Sequence, residues 1–222
     1  VSDSQYWSHP LSGPRNVHPQ PRLDLKRGLD LILALVAAPF AIVILAPAVC
    51  LLLLTGRNPF YRHTRIGRDG LGFQCLKLQT MSPWSRERFA TYLAGSQQAA
   101  VEFARTSKLR DDPRIGLLGR ILRRTSIDEL PQLWNVIRGE MSLVGPRPIT
   151  APELQDYTPV QKHAYLSSRP GLTGLWQVKG RNALTLCQRA ELDAEYVATR
   201  STLRDFAILL RTVPIVLRLT GV

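Results

Sequence analysis

Asp128 and Glu129 stand side by side in the stretch RRTSIDELPQLWNVIRGEMSLVGPRP, residues 123–148. Arg120, Arg123 and Arg124 precede or flank the pair, and Arg138 and Arg147 follow it. Planar guanidinium groups beside a helix start make a pocket for phosphate. A carboxylate held ionised in such a pocket can attack phosphorus, because nearby cations lower its pKa and screen the incoming anion. The second carboxylate can hold a divalent cation or accept a proton. A plainer role fits the same residues: Ser126 and Glu129 have the spacing of a capping box, and acids in a first helical turn suit the macrodipole. Capping accounts for a carboxylate near a helix start but leaves the arginines unexplained.

The elements that must position these residues are legible on both sides. Leu130, Leu133, Trp134 and Ile137 fall at i, i+3, i+4 and i+7, which predicts a helix with an apolar face, Pro131 in its first turn and Gly139 at its end. Upstream, GLLGRILRR reads as a short basic helix, DDPRIG as a loop, and residues 86–108 as a helical insertion. NPFYRHTRIGRDGLGFQCLKLQTM reads as a hairpin turning at GRDGLG. Downstream, the glycines of PGLTG either let backbone approach a nucleotide or only make a turn. RAELDAEYV looks helical. STLRDFAILLRTVPIVLRL is an amphipathic segment suited either to a membrane surface or to the domain core.

The chain has 222 residues, 45% hydrophobic and 21% charged, enough for one domain with a core. A net charge of +12 and a pI near 10.4 call for an anionic partner: nucleic acid, an acidic membrane surface or a phosphorylated substrate. Cys50, Cys75 and Cys187 are odd in number and widely spaced, against a disulfide framework or a zinc site and in favour of a reducing location. Residues 1–22, rich in proline, read as a flexible tail.

From Leu31 to Leu54 no residue is charged. As a helix this run would extend roughly 36 Å, enough for a hydrocarbon core of about 30 Å. Arg22, Lys26 and Arg27 precede it, and Arg57, Arg62, Arg65 and Arg68 follow, so both ends qualify as cytoplasmic. A helix bent at proline, entering and leaving by one face, satisfies both flanks; Pro39 is the more central of its two prolines. The alternatives are a proline-kinked transmembrane helix and a cleaved signal peptide, the latter the weaker because the run is too long and APA at 46–48 is followed by more leucine.

In order along residues 25–220, the blocks KRGLD, YRHTRIGRDGLGFQCLKLQTM, DDPRIGLLGRILRRTSIDELPQLWNVIRGEMSLVGPRP, RPGLTGLWQVKGRN and ELDAEYV resemble the bacterial sugar transferase family, the small monotopic phosphoglycosyl transferases. Within it, the chain is most similar to exopolysaccharide enzymes handling galactose phosphate or glucose phosphate. The resemblance implies transfer of a sugar 1-phosphate from a UDP-sugar donor to undecaprenyl phosphate, with release of UMP. It implies Asp128 as nucleophile and Glu129 as its assistant, with Mg²⁺ held at Asp128 and Glu129. Lys77, Arg123, Arg147 and Arg181 would bind phosphate groups, and Asp193 and Tyr196 would belong to the scaffold. The family's membrane helix bends at a Ser-Pro pair, whereas both prolines here follow alanine, Ala38-Pro39 and Ala46-Pro47.

The expected fold is α+β and mostly helical: a re-entrant membrane helix over 23–56, then a cytoplasmic domain over 57–222 with a small β-hairpin and amphipathic interfacial helices. The expected place is the cytoplasmic face of a bacterial inner membrane, with anionic lipids as partners and a homodimer left open. The arginines cluster about two acids and do not interleave with stacking aromatics, so no nucleic-acid partner is expected. The alternatives are a non-catalytic membrane scaffold of polysaccharide assembly and a membrane-tethered nucleic-acid-binding protein.

Overall fold

The computed structural model describes residues 25–106, 109–180 and 184–218. The tail reading of residues 1–22 therefore lies outside the described residues.

The chain opens on α1, Leu25–Leu54, which runs without interruption through Pro39 and Pro47. No break in the helix is seen at Pro39, where the sequence placed a bend. Among the described residues, α1 is the one helix long and apolar enough to cross a membrane. Its buried residues are Arg27, Asp30, Ala34, Ala41, Ala48 and Leu52, a single stripe at steps of three, four or seven. The alanines let the helix lie close to the rest of the molecule. Ala34 and Ala41 join a core cluster with Val136, Met141 and Val144, while Ala48 and Leu52 join a second with Leu78 and Leu122. Both halves of α1 thus rest on one body. Ile32, Val36, Phe40, Val43 and Leu54, among others, stay exposed on its other faces.

The expected hairpin forms from β1, Phe60–Ile66, and β2, Gly72–Leu78, paired antiparallel with Phe60 opposite Leu78 and Ile66 opposite Gly72. Asp69 and Gly70 turn the chain in the left-handed region, with φ of 58° and 76°. The insertion is two helices, α2 Arg86–Ala94 and α3 Gln97–Thr106. Next comes α4, Leu117–Arg124, followed by a single 3-10 turn at Ile127–Glu129 and α5, Gln132–Arg138.

The start of α5 departs from expectation. Ser126 adopts φ 58° and its side chain makes no capping bond; the helix begins three residues beyond Glu129, with Pro131 immediately before it. The capping-box reading is therefore overturned, because a left-handed Ser126 turns its backbone away from the extended geometry that a cap requires. Gly139 ends the helix as expected, at φ 82°. The buried face also differs: Trp134 is 54% exposed, while Gln132, Leu133, Asn135 and Val136 are buried. Asn135 is turned inward because it serves β2 as a surrogate strand neighbour. Its Oδ1 accepts the Leu76 N–H at 3.0 Å and its Nδ2 donates to Gln74 O at 2.7 Å.

Two short parallel strands, β3 Ser142–Val144 and β4 Gly171–Thr173, cross beneath the helices, bracketing α6, Ala151–Gln155, and α7, Pro159–Leu166. The glycines of PGLTG serve this packing. A Cβ on Gly171 would stand 2.1 Å from Gly145 N, and one on Gly174 2.3 Å from Gly145 O. Three helices close the chain: α8 Leu175–Lys179, α9 Leu186–Thr199 and α10 Thr202–Leu217. The core reading of the last segment holds for one face of α10, and its other face is apolar and exposed. Ile208 is buried in the core, while Leu203, Phe206, Leu210 and Val213 are exposed.

Candidate functional site

Separate segments of the chain bring side chains to one cleft of 720 Å³. β2 contributes Lys77, the end of α4 Arg123, the 3-10 turn Asp128 and Glu129, the residues after β3 Arg147, and α8 Trp176. The left-handed Ser126 swings the chain out of α4 so that the following turn presents both acids at the cleft wall. Gly119 allows the close approach beneath: its Cβ would lie 2.2 Å from Thr80 O. Arg123 Nε then donates to Thr80 Oγ1 at 2.8 Å, tying α4 to the end of β2.

The two carboxylates are treated differently. Glu129 Oε1 accepts from Lys77 Nζ at 2.6 Å. Burial works against the Lys77 charge, but Glu129 outweighs it, and the ammonium is held above its ordinary pKa. Asp128 is only 9% exposed and has no ion pair among the described residues. Burial, then the neighbouring Glu129 charge, push its carboxyl up to about 6, against the pull of Lys77 and Arg123. The sequence expectation that cations lower this pKa is thus reversed, because the loss of solvent outweighs them.

Arg147, flanked by Pro146 and Pro148, donates its backbone N–H to Asp193 Oδ2 at 3.0 Å. Its guanidinium lies 5.3 Å from the Trp176 ring centroid. Burial pushes the Asp193 carboxyl up to about 7. Tyr196, three residues further along α9, has its hydroxyl 3.1 Å from Val144 O and 2.6 Å from Asp205 Oδ1. Both residues hold the scaffold behind the cleft.

Of the residues that sequence reasoning singled out, Lys77, Arg123, Asp128, Glu129 and Arg147 line this one cleft. Arg181 lies outside the described residues. Arg120 and Arg124 are exposed, and Arg138 pairs with Glu140 at 3.4 Å, so these three do not line it. Sequence reasoning missed Arg65, Arg114 and Trp176. Arg65 and Arg114 reach the cleft already paired, with Glu153 at 3.0 Å and Asp112 at 2.5 Å. The Asp112 pair was within reach, since an acid two residues before an arginine in a turn can close on it; the others come from distant segments. Cys75 also lines the cleft, with its thiol pushed up to about 11 by burial, so it is no nucleophile at neutral pH.

A resident metal needs more ligands than are present: among the described residues, no group of three or more His, Cys, Asp and Glu side chains is placed to hold one. Mg²⁺ is commonly bound through one or two carboxylates, with water and substrate phosphates completing its octahedron. Asp128 and Glu129 fit that donor set, for an ion arriving with a diphosphate.

Residues 22–219 match the family model described as Bacterial sugar transferase. The chain is 44% identical over 201 residues to the UDP-galactose-lipid carrier transferase of Erwinia amylovora, covering 89% of this chain and 41% of that protein. It is 42% identical over 196 residues to the exopolysaccharide production protein ExoY of Sinorhizobium fredii, covering 86% and 84%. A third relative, 43% identical over 206 residues, is the UDP-glucose:undecaprenyl-phosphate glucose-1-phosphate transferase of Caulobacter vibrioides, with 88% and 71% covered. The chain thus spans about two-fifths of the Erwinia protein's length and most of the other two.

Proposed function

The chain belongs to the bacterial sugar transferase family, and from that premise we propose that it transfers a sugar 1-phosphate from a UDP-sugar to undecaprenyl phosphate through a covalent intermediate on Asp128. The sugar is a hexose, galactose or glucose, the two named in the Erwinia and Caulobacter relatives. The observation that carries the reading is Asp128 itself: a buried, unpaired carboxylate on the wall of a cleft lined by Lys77, Arg123 and Arg147.

In the first step an oxygen of ionised Asp128 attacks the phosphorus bonded to the sugar. The bond from that phosphorus to the bridging oxygen breaks, and UMP leaves with the electron pair. In the second step a phosphate oxygen of the lipid attacks the same phosphorus, the acyl phosphate bond breaks, and Asp128 returns as a carboxylate. Lys77 and Arg123 offset the charge of the incoming anion, and the Lys77–Glu129 pair fixes the acid beside the nucleophile. Mg²⁺ held by Asp128 and Glu129 with the diphosphate would supply further charge neutralisation. Burial of Asp128 keeps water from the acyl phosphate while UMP leaves and lipid enters.

One substrate dissolves in water and the other carries its phosphate at headgroup level, so the site must lie at the membrane interface. The exposed apolar faces of α1 and α10 suit that place, with α1 re-entrant and the domain on the cytoplasmic side. The alanine stripe supports this path: a helix resting on one body along both halves is not free to stand across the bilayer away from it.

The test is UMP release from UDP-galactose and UDP-glucose with Mg²⁺ and undecaprenyl phosphate, in wild type and Asp128→Asn. Release that requires the aspartate is expected, and the preferred donor names the sugar. Equal release by the folded variant would sink the reading.

A further inference from the structure

We propose that Arg147 and Arg189, set together against Trp176, form a single phosphate-monoester subsite that the departing UMP and the acceptor lipid's phosphate occupy in turn. The inference rests on the function proposed above and adds a residue, Arg189, that no sequence motif singled out.

Arg189, on α9, is only 9% exposed, and its guanidinium lies 4.9 Å from the Trp176 ring centroid, beside the Arg147 guanidinium at 5.3 Å. Among the described residues neither guanidinium makes a hydrogen bond or an ion pair, and the Nε of each is buried without a partner. Two like charges held close in a half-desolvated place are unfavourable unless an anion joins them. The nearby acids do not play that part. Glu153 is taken by Thr150 and Arg65, and Asp193 uses Oδ2 on the Arg147 backbone while its Oδ1 stays unpartnered. Burial raises Asp193 to about 7, so at neutral pH it carries only part of a negative charge.

This pair is separate from the cations that serve the nucleophile. Asp128 responds to Lys77 and Arg123, whereas Arg147 acts on Glu153, Tyr157, Asp193 and Arg189. Yet Arg147 and Trp176 line the same cleft as Asp128. The chemistry supplies the use for a second anion site. Displacement at phosphorus is in line, so in the first step the leaving phosphate lies opposite Asp128. In the second step Asp128 is the leaving group, and the attacking phosphate must stand opposite it, in the place UMP has vacated. UMP and a polyprenyl phosphate share one chemical feature, a phosphate monoester, and two guanidinium groups beside one aromatic ring suit it. Arg147 touches the ligand from the cleft wall, and Arg189 is a positioning residue that adds charge from behind.

Equilibrium titrations of the full chain in detergent micelles, with UMP, uridine, farnesyl phosphate and farnesol as probes, test this. UMP and farnesyl phosphate should displace one another. Arg189→Gln should weaken both by at least about tenfold, leave uridine and farnesol unchanged, and Arg189→Lys should recover part of the loss. Arg147→Gln should show the same pattern, which keeps the test open if Arg189→Gln melts early. Asp128→Asn should lose transfer yet bind UMP and farnesyl phosphate at least as tightly as wild type, because a like charge leaves the cleft, so the subsite and the covalent route are judged on different data. Simultaneous binding of UMP and farnesyl phosphate would overturn the proposal. So would a loss confined to one of the two, or folded arginine variants that bind both within about twofold of wild type.

Discussion

At the N-terminal end of α1, Asp30 has Ser142 Oγ at 2.7 Å and the Leu143 N–H at 3.2 Å, Lys26 pairs with Asp205, and Arg27 donates to the carbonyls of Val136 and Ile137. In the cleft, Asp128 is buried to a similar degree, 9% exposed against 6% for Asp30, and has no partner side chain among the described residues. The first cluster fastens the apolar helix to β3 and α5, and its charges are engaged by the fold itself. The second leaves a carboxylate and two guanidinium groups to be completed by something that arrives later. Buried polar groups of the first kind have their partners within the protein; buried charge of the second kind is left open, costs stability and is reserved for chemistry.

The sharpest way to break this contrast is Asp128→Asn. Transfer should fall by at least about a thousandfold, while the melting temperature holds or rises. Between pH 3.8 and about 6 the folded carboxyl keeps a proton that the unfolded chain has given up. Stability therefore falls as pH rises through that window, and the amide removes a penalty of at most about 3 kcal/mol. A variant that melts early would place Asp128 in the same class as Asp30.

Lys77→Met comes next, with a loss of about a hundredfold in kcat/KM. It removes the cation paired with Glu129 and one of the two that Asp128 feels, so steady-state kinetics should show the loss with folding retained. On the other side of the contrast, Asp30→Asn should lower stability by about 1–3 kcal/mol in chemical denaturation and leave turnover per folded molecule near wild type. A pH profile sharpens the comparison further. Because the nucleophile must be ionised, kcat/KM should drop about tenfold per unit below pH about 6. Removing the adjacent negative charge with Glu129→Gln should move that acid limb to lower pH. The smallest effects belong to Arg120→Gln and Arg124→Gln, exposed and away from the cleft, each within about 0.5 kcal/mol in thermal melts.

Local rules revealed much of this fold, and long-range packing decided the rest. The hairpin at GRDGLG, the basic helix before the acids and the stop at Gly139 follow from turn residues and period alone. The uncharged run showed a membrane-length helix, but its alanine stripe gained meaning only from what it packs against. Ser126 misled because capping spacing cannot reveal a left-handed residue. Trp134 misled because Asn135 is drawn inward by β2, a partner about sixty residues away in sequence, which rotates the buried face. The site divided in the same way. Asp128, Glu129 and the arginines within one motif are adjacent in sequence, whereas Trp176 and Arg189 reach Arg147 only once α8 and α9 fold against β3.

The most direct measurement is mass spectrometry of the protein after exposure to UDP-sugar and Mg²⁺ with no lipid acceptor. A hexose-phosphate adduct on the peptide containing Asp128, formed as UMP appears and discharged when undecaprenyl phosphate is added, is the predicted result. UMP released only when lipid is present, with no adduct in a rapidly quenched sample, would contradict the covalent route and point to direct transfer between the two substrates.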